Sequence, residues 1–385
     1  MFPARAMTIL GGDSFRDEYS LAFDGTNDNI RIPVIEYSVH DADFSFVFWV
    51  KRGAASVVHT ILGNTGAASD SRIAFISDNT VLIESDTNGD SAIITPNVED
   101  LNWHHWVIVA SSGTVTAYQD GVSCSVSGNV GDDNLTIDTI GGAGSGGTTS
   151  EFNGNMSEIA VYNIALTSTQ AKQLYNGREP FDHKDWAKSG NLQSWWRMGD
   201  GVNDIPAADS EGGIIGDEVT PTLGPNLFDA AASVFTSGTY SWVAYDDATI
   251  SNDSNTLKIV KDDDSSNTNG AYVYLKNASD LSSDLTIGKV YKITFDAKVD
   301  TGNSVAVNVN EAGDTLNVDV VITNTSFKTY SLYFKAGSAT GSYIRSISMA
   351  TGEIIWLDNL KLQEFGGNTG VMQNMTPSDF VGDTP

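Results

Sequence analysis

The chain has 385 residues with 49 acidic and 21 basic side chains, giving a net charge of −28; this length allows roughly two or three domains. Nucleic-acid binding requires cationic groups that neutralise phosphates, and docking on anionic lipid requires a basic surface. We therefore expect no nucleic-acid partner. The hydrophobic content of 40% is that of a folded protein.

The only cysteine is Cys124, so no intrachain disulfide can form. Residues 1–8 contain no apolar signal core, and no stretch of about 18 apolar residues is present. We expect a protein without membrane insertion that is made in a host cytoplasm without a signal peptide. If it acts outside the cell, another route takes it there.

Short alternating segments dominate the first half of the chain, and they predict strands with one buried face. Asp120-Gly121 is typical of a two-residue hairpin turn. Thr167 and Gln170 have the spacing of a capping box, which predicts one short helix that ends at Gly177. The predicted strands of this half are residues 19–25, 30–32, 44–50, 72–76, 80–85, 103–110, 114–119 and 195–198.

The second half is also rich in strands, after a segment at 200–225 with the Gly, Pro, Asp and Thr content of a linker. Evenly spaced short strands without helices predict a sandwich or barrel. The predicted strands are residues 256–260, 271–275, 290–297, 304–310, 331–335 and 354–362.

Residues 19–200 resemble the laminin-G-like, concanavalin-A-like jelly rolls. The resemblance rests on the order and spacing of five segments, residues 21–30, 44–52, 102–107, 117–122 and 152–163.

Residues 225–363 resemble the carbohydrate-binding-module jelly rolls of families four and nine, through residues 226–228, 288–297 and 356–362. Such a pair of modules, with segments like residues 196–201 and 368–377, is similar to structural proteins of marine tailed phages.

Together these patterns predict an all-β protein of two antiparallel jelly-roll sandwiches in tandem, with one short helix near the end of the first. The predicted divisions are an N-terminal arm (1–18), a first jelly roll (19–200), a linker (201–224), a second jelly roll (225–365) and a C-terminal tail (366–385). Both terminal segments are polar but carry apolar anchors. We expect them to order against a partner, which is another copy of the chain or a virion protein. For the tail the alternative is the first domain.

Calcium is the predicted cofactor, because hard cations bind clustered carboxylate and carbonyl oxygens. Asp24 and Asp28 flank one tight turn. The laminin-G resemblance implies a further ligand at Glu158, although Ser157 stands where relatives commonly have aspartate. The resemblance of the second module implies a structural calcium ligand at Asp358. A plain turn rich in aspartate and asparagine is the alternative for residues 24–28.

Tyr240, Trp242 and Tyr245 cluster in a turn-rich stretch and are the predicted carbohydrate-binding residues. A sugar packs its apolar face on an exposed ring, and polar neighbours bind its hydroxyl groups. For Trp242 the alternative is a core residue that fills the edge of the sandwich.

Catalysis is not expected. A retaining glycosidase needs two carboxylates about 5 Å apart, and family glucanases place three acids on one strand. Residues 84–88 offer Glu84 and Asp86 but carry Asn88 at the third place. The glycine-rich segment 142–147 precedes a predicted strand instead of a helix, so we interpret it as a hairpin loop.

The predicted function is a non-enzymatic phage virion protein of the head or tail surface that binds host or environmental glycans and forms a homo-oligomer. The first alternative is a bacterial cell-surface or secreted carbohydrate-binding protein. The second is a glycoside hydrolase of the concanavalin-A-like class.

Overall fold

The structure is a computed structural model that describes residues 15–66, 71–76, 79–85, 91–130, 134–143, 150–206, 213–311 and 317–385. The described chain is almost entirely antiparallel β-structure, which confirms the predicted fold class. Helix α1 (Ser168–Tyr175) carries the predicted capping box of Thr167 and Gln170. None of the described helices is long and apolar enough to cross a membrane.

The strands of the first half extend from β1 to β15 in chain order. Their bounds are β1 Ser20–Asp24, β2 Asn29–Ser38, β3 Phe44–Arg52, β4 His59–Gly63, β5 Arg72–Phe75, β6 Val81–Glu84, β7 Ser91–Thr95, β8 His104–Ser111, β9 Thr114–Gln119, β10 Val122–Ser123, β11 Ser125–Gly128, β12 Asn134–Ile140, β13 Asn153–Tyr162, β14 Leu192–Trp196 and β15 Ile214–Ile215. A 3-10 turn, Ser189–Asn191, precedes β14.

The second half contributes strands β16 to β27 and a one-turn helix α2 (Ala230–Ser233). The strand bounds are β16 Val243–Ala244, β17 Ala248–Asn252, β18 Leu257–Lys261, β19 Ala271–Tyr274, β20 Val290–Val299, β21 Val305–Asn310, β22 Asn317–Ile322, β23 Lys328–Lys335, β24 Tyr343–Ile347, β25 Ile354–Glu364, β26 Gly370–Gln373 and β27 Phe380–Val381. Another 3-10 turn, Pro377–Asp379, precedes β27.

Two large sheets form the first sandwich. Sheet I has the order β10-β9-β8-β3-β13-β1-β27, with β14 also paired to β13, and sheet II has the order β11-β7-β6-β5-β4-β12-β2-β26-β15. Alternate residues of β3 explain its long apolar run. Phe44, Phe46 and Phe48 enter the core between the sheets, whereas Val47 packs on the opposite face with residues of helix α1 such as Leu174. Both faces of β3 are therefore buried.

Two five-stranded sheets form the second sandwich. Sheet III has the order β16-β19-β24-β21-β22, and sheet IV has the order β17-β18-β25-β20-β23. The core between them contains Val273, Phe295, Val307 and Leu357, all fully buried. Strands β20 and β25 alternate buried and partly exposed residues along most of their length. Each sheet therefore has one apolar inner face and one polar outer face.

The second sandwich is inserted between two paired strands of the first. Strand β15 precedes it, strand β26 follows it, and the two pair side by side through Ile214↔Val371 and Ile215↔Gly370. The predicted linker 201–224 therefore includes a strand of sheet II. The connecting segments also run together, since the Gly224 N–H donates to the Glu364 carbonyl at 2.8 Å.

The C-terminal tail completes the first sandwich, so for the tail the expectation of a partner is wrong and the alternative, the first domain, is correct. Strand β26 pairs with β2, and β27 pairs with β1. Met372 and Met375 are 1% exposed in the core of the first sandwich. The apolar anchors in the tail are thus satisfied within the chain. Of the N-terminal segment, residues 1–14 lie outside the described residues, and Phe15 packs on the first sandwich.

The Asp217 carboxylate accepts hydrogen bonds from three segments where the two sandwiches meet. One carboxylate oxygen accepts the backbone N–H groups of Trp195 and Val219, each at 3.0 Å, and the other accepts the N–H of Asn368 at 2.8 Å. A single side chain therefore joins β14, the segment that leaves the first sandwich and the segment that returns to it.

We expect Met372→Ala to lower the free energy of unfolding by about 2–5 kcal/mol, because it leaves a cavity in the first core. Chemical denaturation measures this change. Ser378→Ala, an exposed change in the same segment, is the control and should stay within about 0.5 kcal/mol of the wild type. Equal stabilities of Met372→Ala and the control would show that the tail does not support the core.

Candidate functional site

Four tyrosines form a cluster on the outer face of sheet III, named here the tyrosine cluster: Tyr245, Tyr272, Tyr274 and Tyr343. In β19 the alternation is strict, because Ala271 and Val273 enter the core while the two intervening tyrosines face outward. Tyr274 lies directly opposite Tyr343 of β24. Tyr245 joins them from the segment between β16 and β17.

The rings of the tyrosine cluster pack against one another. Tyr272 is the centre, with ring centroids 5.1 Å from Tyr245, 5.6 Å from Tyr274 and 5.7 Å from Tyr343. Tyr274 and Tyr343 are 5.4 Å apart at 70°. These spacings are those of favourable edge-to-face aromatic pairs. The cluster is therefore one continuous aromatic surface, and Tyr274 is its most exposed member at 36%.

Polar groups lie directly beside the rings. Arg345 is opposite Tyr272 in the β19–β24 pair and opposite Asn308 in the β21–β24 pair. Its Nε donates to the Asn308 Oδ1 at 2.8 Å, and its guanidinium lies 5.5 Å from the Tyr343 ring centre. Asn308 is 1% exposed although it is on the outer face, so neighbouring side chains enclose this part of the sheet.

Burial raises the pKa of the Tyr343 phenol, and the neighbouring Tyr245 contributes in the same direction. The phenol therefore stays protonated at neutral pH and can donate a hydrogen bond. A surface with stacked rings, a fixed guanidinium and an amide can hold a ligand that has apolar faces and hydroxyl groups.

Of the three residues predicted to bind carbohydrate, only Tyr245 belongs to the tyrosine cluster. Trp242 is 5% exposed in the core of the second sandwich, so the alternative interpretation as a core residue is correct. Tyr240 packs against that core, and its hydroxyl bonds Thr236 at 2.7 Å. The prediction from the sequence did not include Tyr272, Tyr274 and Tyr343. The alternation of residue types in 271–274 and 343–345 is the signal that places these rings on one face of the sheet.

The turn between β1 and β2 brings Asp24 and Asp28 together. Asp28 Oδ2 accepts the Asp24 N–H at 2.9 Å, and Asp24 Oδ1 accepts the N–H groups of Thr26 at 2.7 Å and Asn27 at 3.3 Å. Among the described residues, no group of three or more acidic, histidine or cysteine side chains is placed to hold a metal ion. Calcium takes six to eight oxygens, which backbone carbonyls and water also supply, so a calcium ion at this turn stays a prediction.

Glu158 is not part of that turn. Asp24 pairs with Asn153, five residues before Glu158, which is roughly 16 Å along a strand. Glu158 is fully buried at a bulge in β13, where its carboxylate accepts hydrogen bonds from the Trp195 Nε1 at 2.5 Å and the Arg197 Nε at 3.0 Å. The structure therefore places Glu158 in an ion pair instead of a shared metal site.

A cleft of about 650 Å³ lies above this ion pair, and Phe15 and Trp195 line part of it. Its three cations are already engaged with carboxylates, in the pairs Arg16–Glu18, Lys184–Glu218 and Arg197–Glu158. Trp195 is 2% exposed. The cations that line the cleft are therefore already paired with carboxylates of the protein, and the tyrosine cluster is the better candidate site.

The remaining predicted acids are separate from one another. Asp358 lies on the outer face of sheet IV directly opposite Asp296, which supplies two carboxylates and no third among the described residues. Glu84 forms an ion pair with Arg72 at 3.1 Å. Asp86 and Asn88 lie outside the described residues, as do positions 144–147 of the glycine-rich segment.

Comparison with known proteins supports the laminin-G-like assignment for part of the chain. Residues 24–172 match a laminin-G family model described as the concanavalin A-like lectin/glucanases superfamily. This match covers most of the first sandwich. No curated protein sequence matches the chain.

Similar solved structures come from several organisms. A Bacteroides ovatus protein proposed to bind carbohydrate is 17% identical over 53% of this chain and 56% of its own length, with a TM-score of 0.38. The heptameric pentraxin of Limulus polyphemus is 17% identical over 41% and 82%, with a TM-score of 0.33. A xylan-binding domain of Paenibacillus barcinonensis is 12% identical over 41% and 98%, with a TM-score of 0.27. Similarity at this level carries no argument about what the chain binds.

Asp28 allows a direct test of the turn, because burial raises the pKa of its carboxyl to about 6. The unfolded value is about 3.9, so the fold disfavours ionised Asp28 and the wild type loses stability between pH 4 and pH 6. We expect Asp28→Asn to equal the wild type near pH 4 and to be more stable by about 1–2 kcal/mol at pH 7. Chemical denaturation at both pH values measures the difference.

A bound calcium ion would reverse this result. It would favour ionised Asp28, so the substitution would destabilise the protein at pH 7 and a chelator would lower the wild-type Tm by mass action. With a plain turn, the chelator leaves the Tm unchanged.

Proposed function

We propose that the protein binds neutral polysaccharide chains through the tyrosine cluster and does not cleave them. The observation that carries this proposal is the continuous surface of four tyrosine rings beside the Arg345–Asn308 pair. Rings supply stacking surface for the apolar faces of sugars, and the polar pair supplies hydrogen bonds to hydroxyl groups. The Asp319 carboxylate is opposite Asn308 in the β21–β22 pair, and it favours a neutral ligand over an anionic one at this face.

The same binding activity suits both locations predicted from the sequence, a phage virion surface and a bacterial surface. The virion assignment stays a proposal that rests on the resemblance of the paired modules. The tail no longer supports homo-oligomer formation, because its apolar residues are buried in its own sandwich. Mass spectrometry of purified phage particles tests the virion assignment, which fails if the chain is absent from them.

We expect Tyr343→Ala and Tyr274→Ala each to lower the affinity for soluble neutral glycans such as xylan or β-glucan about two- to tenfold, because one ring contact is worth about 0.5–1.5 kcal/mol. Isothermal titration calorimetry of the full chain against a glycan panel measures the affinity. Tyr19→Ala is the matched control, since Tyr19 is a 44% exposed tyrosine of the first sandwich that lies outside the tyrosine cluster.

The control variant should bind as the wild type does, and the bound glycan should gain no reducing ends. Equal affinities for all variants would contradict a role for the tyrosine cluster. Release of reducing ends above a buffer blank would contradict binding without cleavage.

A further inference from the structure

The outer face of sheet IV is chemically unlike the rest of this acidic chain. Strand alternation places four lysines on it, named here the lysine face: Lys258, Lys292, Lys298 and Lys361. The carboxylates on the same strands and face are Asp296 and Asp358. With Asp253, which accepts the Trp356 indole N–H on this face, cations outnumber acids by 4 to 3 here, whereas the whole chain has 21 basic and 49 acidic side chains.

Trp356 of β25 lies between two of these lysines, and the three residues form a row across neighbouring strands. Lys258 of β18 is opposite it on one side, and Lys298 of β20 is opposite it on the other. The two ammonium groups lie 5.5 and 4.7 Å from the indole ring centre. Lys298 also lies 5.1 Å from the ring centre of the exposed Phe327.

The acids on this face accept hydrogen bonds within the protein, whereas Lys258 and Lys298 contact the Trp356 ring and interact electrostatically with Asp253. Asp296 accepts hydrogen bonds from the Thr329 hydroxyl at 2.5 Å and the Asn359 side-chain amide at 2.7 Å. Asp253, at the end of the row, accepts the Trp356 Nε1 N–H at 3.0 Å. No ion pair within 4.0 Å joins any of the four lysines to a carboxylate in the described parts of the chain.

We propose that the lysine face is a second glycan-binding surface, which takes polysaccharides that bear carboxylate or sulfate groups. Lys258 and Lys298 come from strands separated by one strand, so their backbones are roughly 10 Å apart. An acidic polymer can therefore contact both ammonium groups while a sugar ring lies near Trp356. This proposal is independent of the tyrosine cluster, which is on the other sheet of the sandwich.

The net charge of −28 does not prevent this contact. Repulsion between exposed charges is screened beyond about 8 Å at physiological ionic strength, so the groups within one screening length decide whether an anion binds. Around Trp356 those groups are two cations, a neutral aromatic surface and the Asp253 carboxylate, which already accepts the indole N–H.

The experiment measures binding of the full chain to polygalacturonate, a sulfated galactan and neutral xylan by calorimetry at about 0.1 M salt, where the screening length is about 10 Å. The double variant Lys258→Gln, Lys298→Gln removes the row. Its matched control is Lys172→Gln, Lys188→Gln, on the first sandwich. Each double variant changes the net charge from −28 to −30, since each removes two positive charges.

We expect the first double variant to lose about tenfold in affinity for the acidic glycans, as two exposed charge contacts are together worth about that much. Its xylan affinity should not change. The control variant should bind all three glycans as the wild type does, and about 1 M salt should weaken only acidic-glycan binding. Comparison of the affinities for polygalacturonate and the sulfated galactan shows whether the lysine face prefers carboxylate or sulfate groups.

Absence of binding to both acidic polymers would overturn the proposal. Equal losses in the two double variants would also overturn it, because the effect would then depend on total charge instead of this face. Sedimentation velocity gives a third test. Salt-sensitive self-association of the wild type that Lys258→Gln, Lys298→Gln abolishes would assign the lysine face to a second copy of the chain.

Discussion

The pairing of β15 with β26 is the constraint on which the rest of the molecule depends. These two short strands are far apart in sequence, and the whole second sandwich lies between them. Because β26 also pairs with β2 and supplies Met372 to the core, the first sandwich is complete only after the chain has returned from the second. Such long-range contacts carry a large loop-closure cost during folding.

Two chain segments that run side by side therefore connect the second sandwich to the first, in place of a single linker. Asp217 binds both segments, and a small apolar cluster joins the modules through Ile214, Val290, Phe365 and Val371. Lys335 of β23 adds a hydrogen bond to the Ile32 carbonyl of the first sandwich at 2.6 Å. The contact therefore uses one end of sheet IV.

This attachment decides which surfaces are left for ligands. The tyrosine cluster belongs to sheet III, whereas the strands in contact with the first sandwich belong to sheet IV. On sheet IV itself, the row of Lys258, Trp356 and Lys298 lies at the end of the strands opposite Val290 and Lys335. The two proposed glycan surfaces are thus chemically distinct and belong to opposite sheets of one sandwich.

The calcium prediction illustrates how a residue's role depends on its partner. The family resemblance implies that Glu158 shares a metal site with Asp24. In the structure Glu158 lies at a bulge in β13, and its carboxylate accepts hydrogen bonds from Trp195 and Arg197. A sequence shows that a carboxylate is present. It does not show which cation or donor the fold brings to it.

The sequence by itself determined the fold class, the short capped helix and most strands, because alternation, turn residues and the Thr167–Gln170 spacing act over a few residues. It also held the signal of the proposed binding surface in the alternate tyrosines of β19. Only the tertiary structure decided that Trp242 is buried, that the tail belongs to the first core, and that Tyr245, Tyr272 and Tyr343 meet. These outcomes depend on which distant segments pack together, and pairing between residues far apart in the chain leaves no local pattern in one sequence.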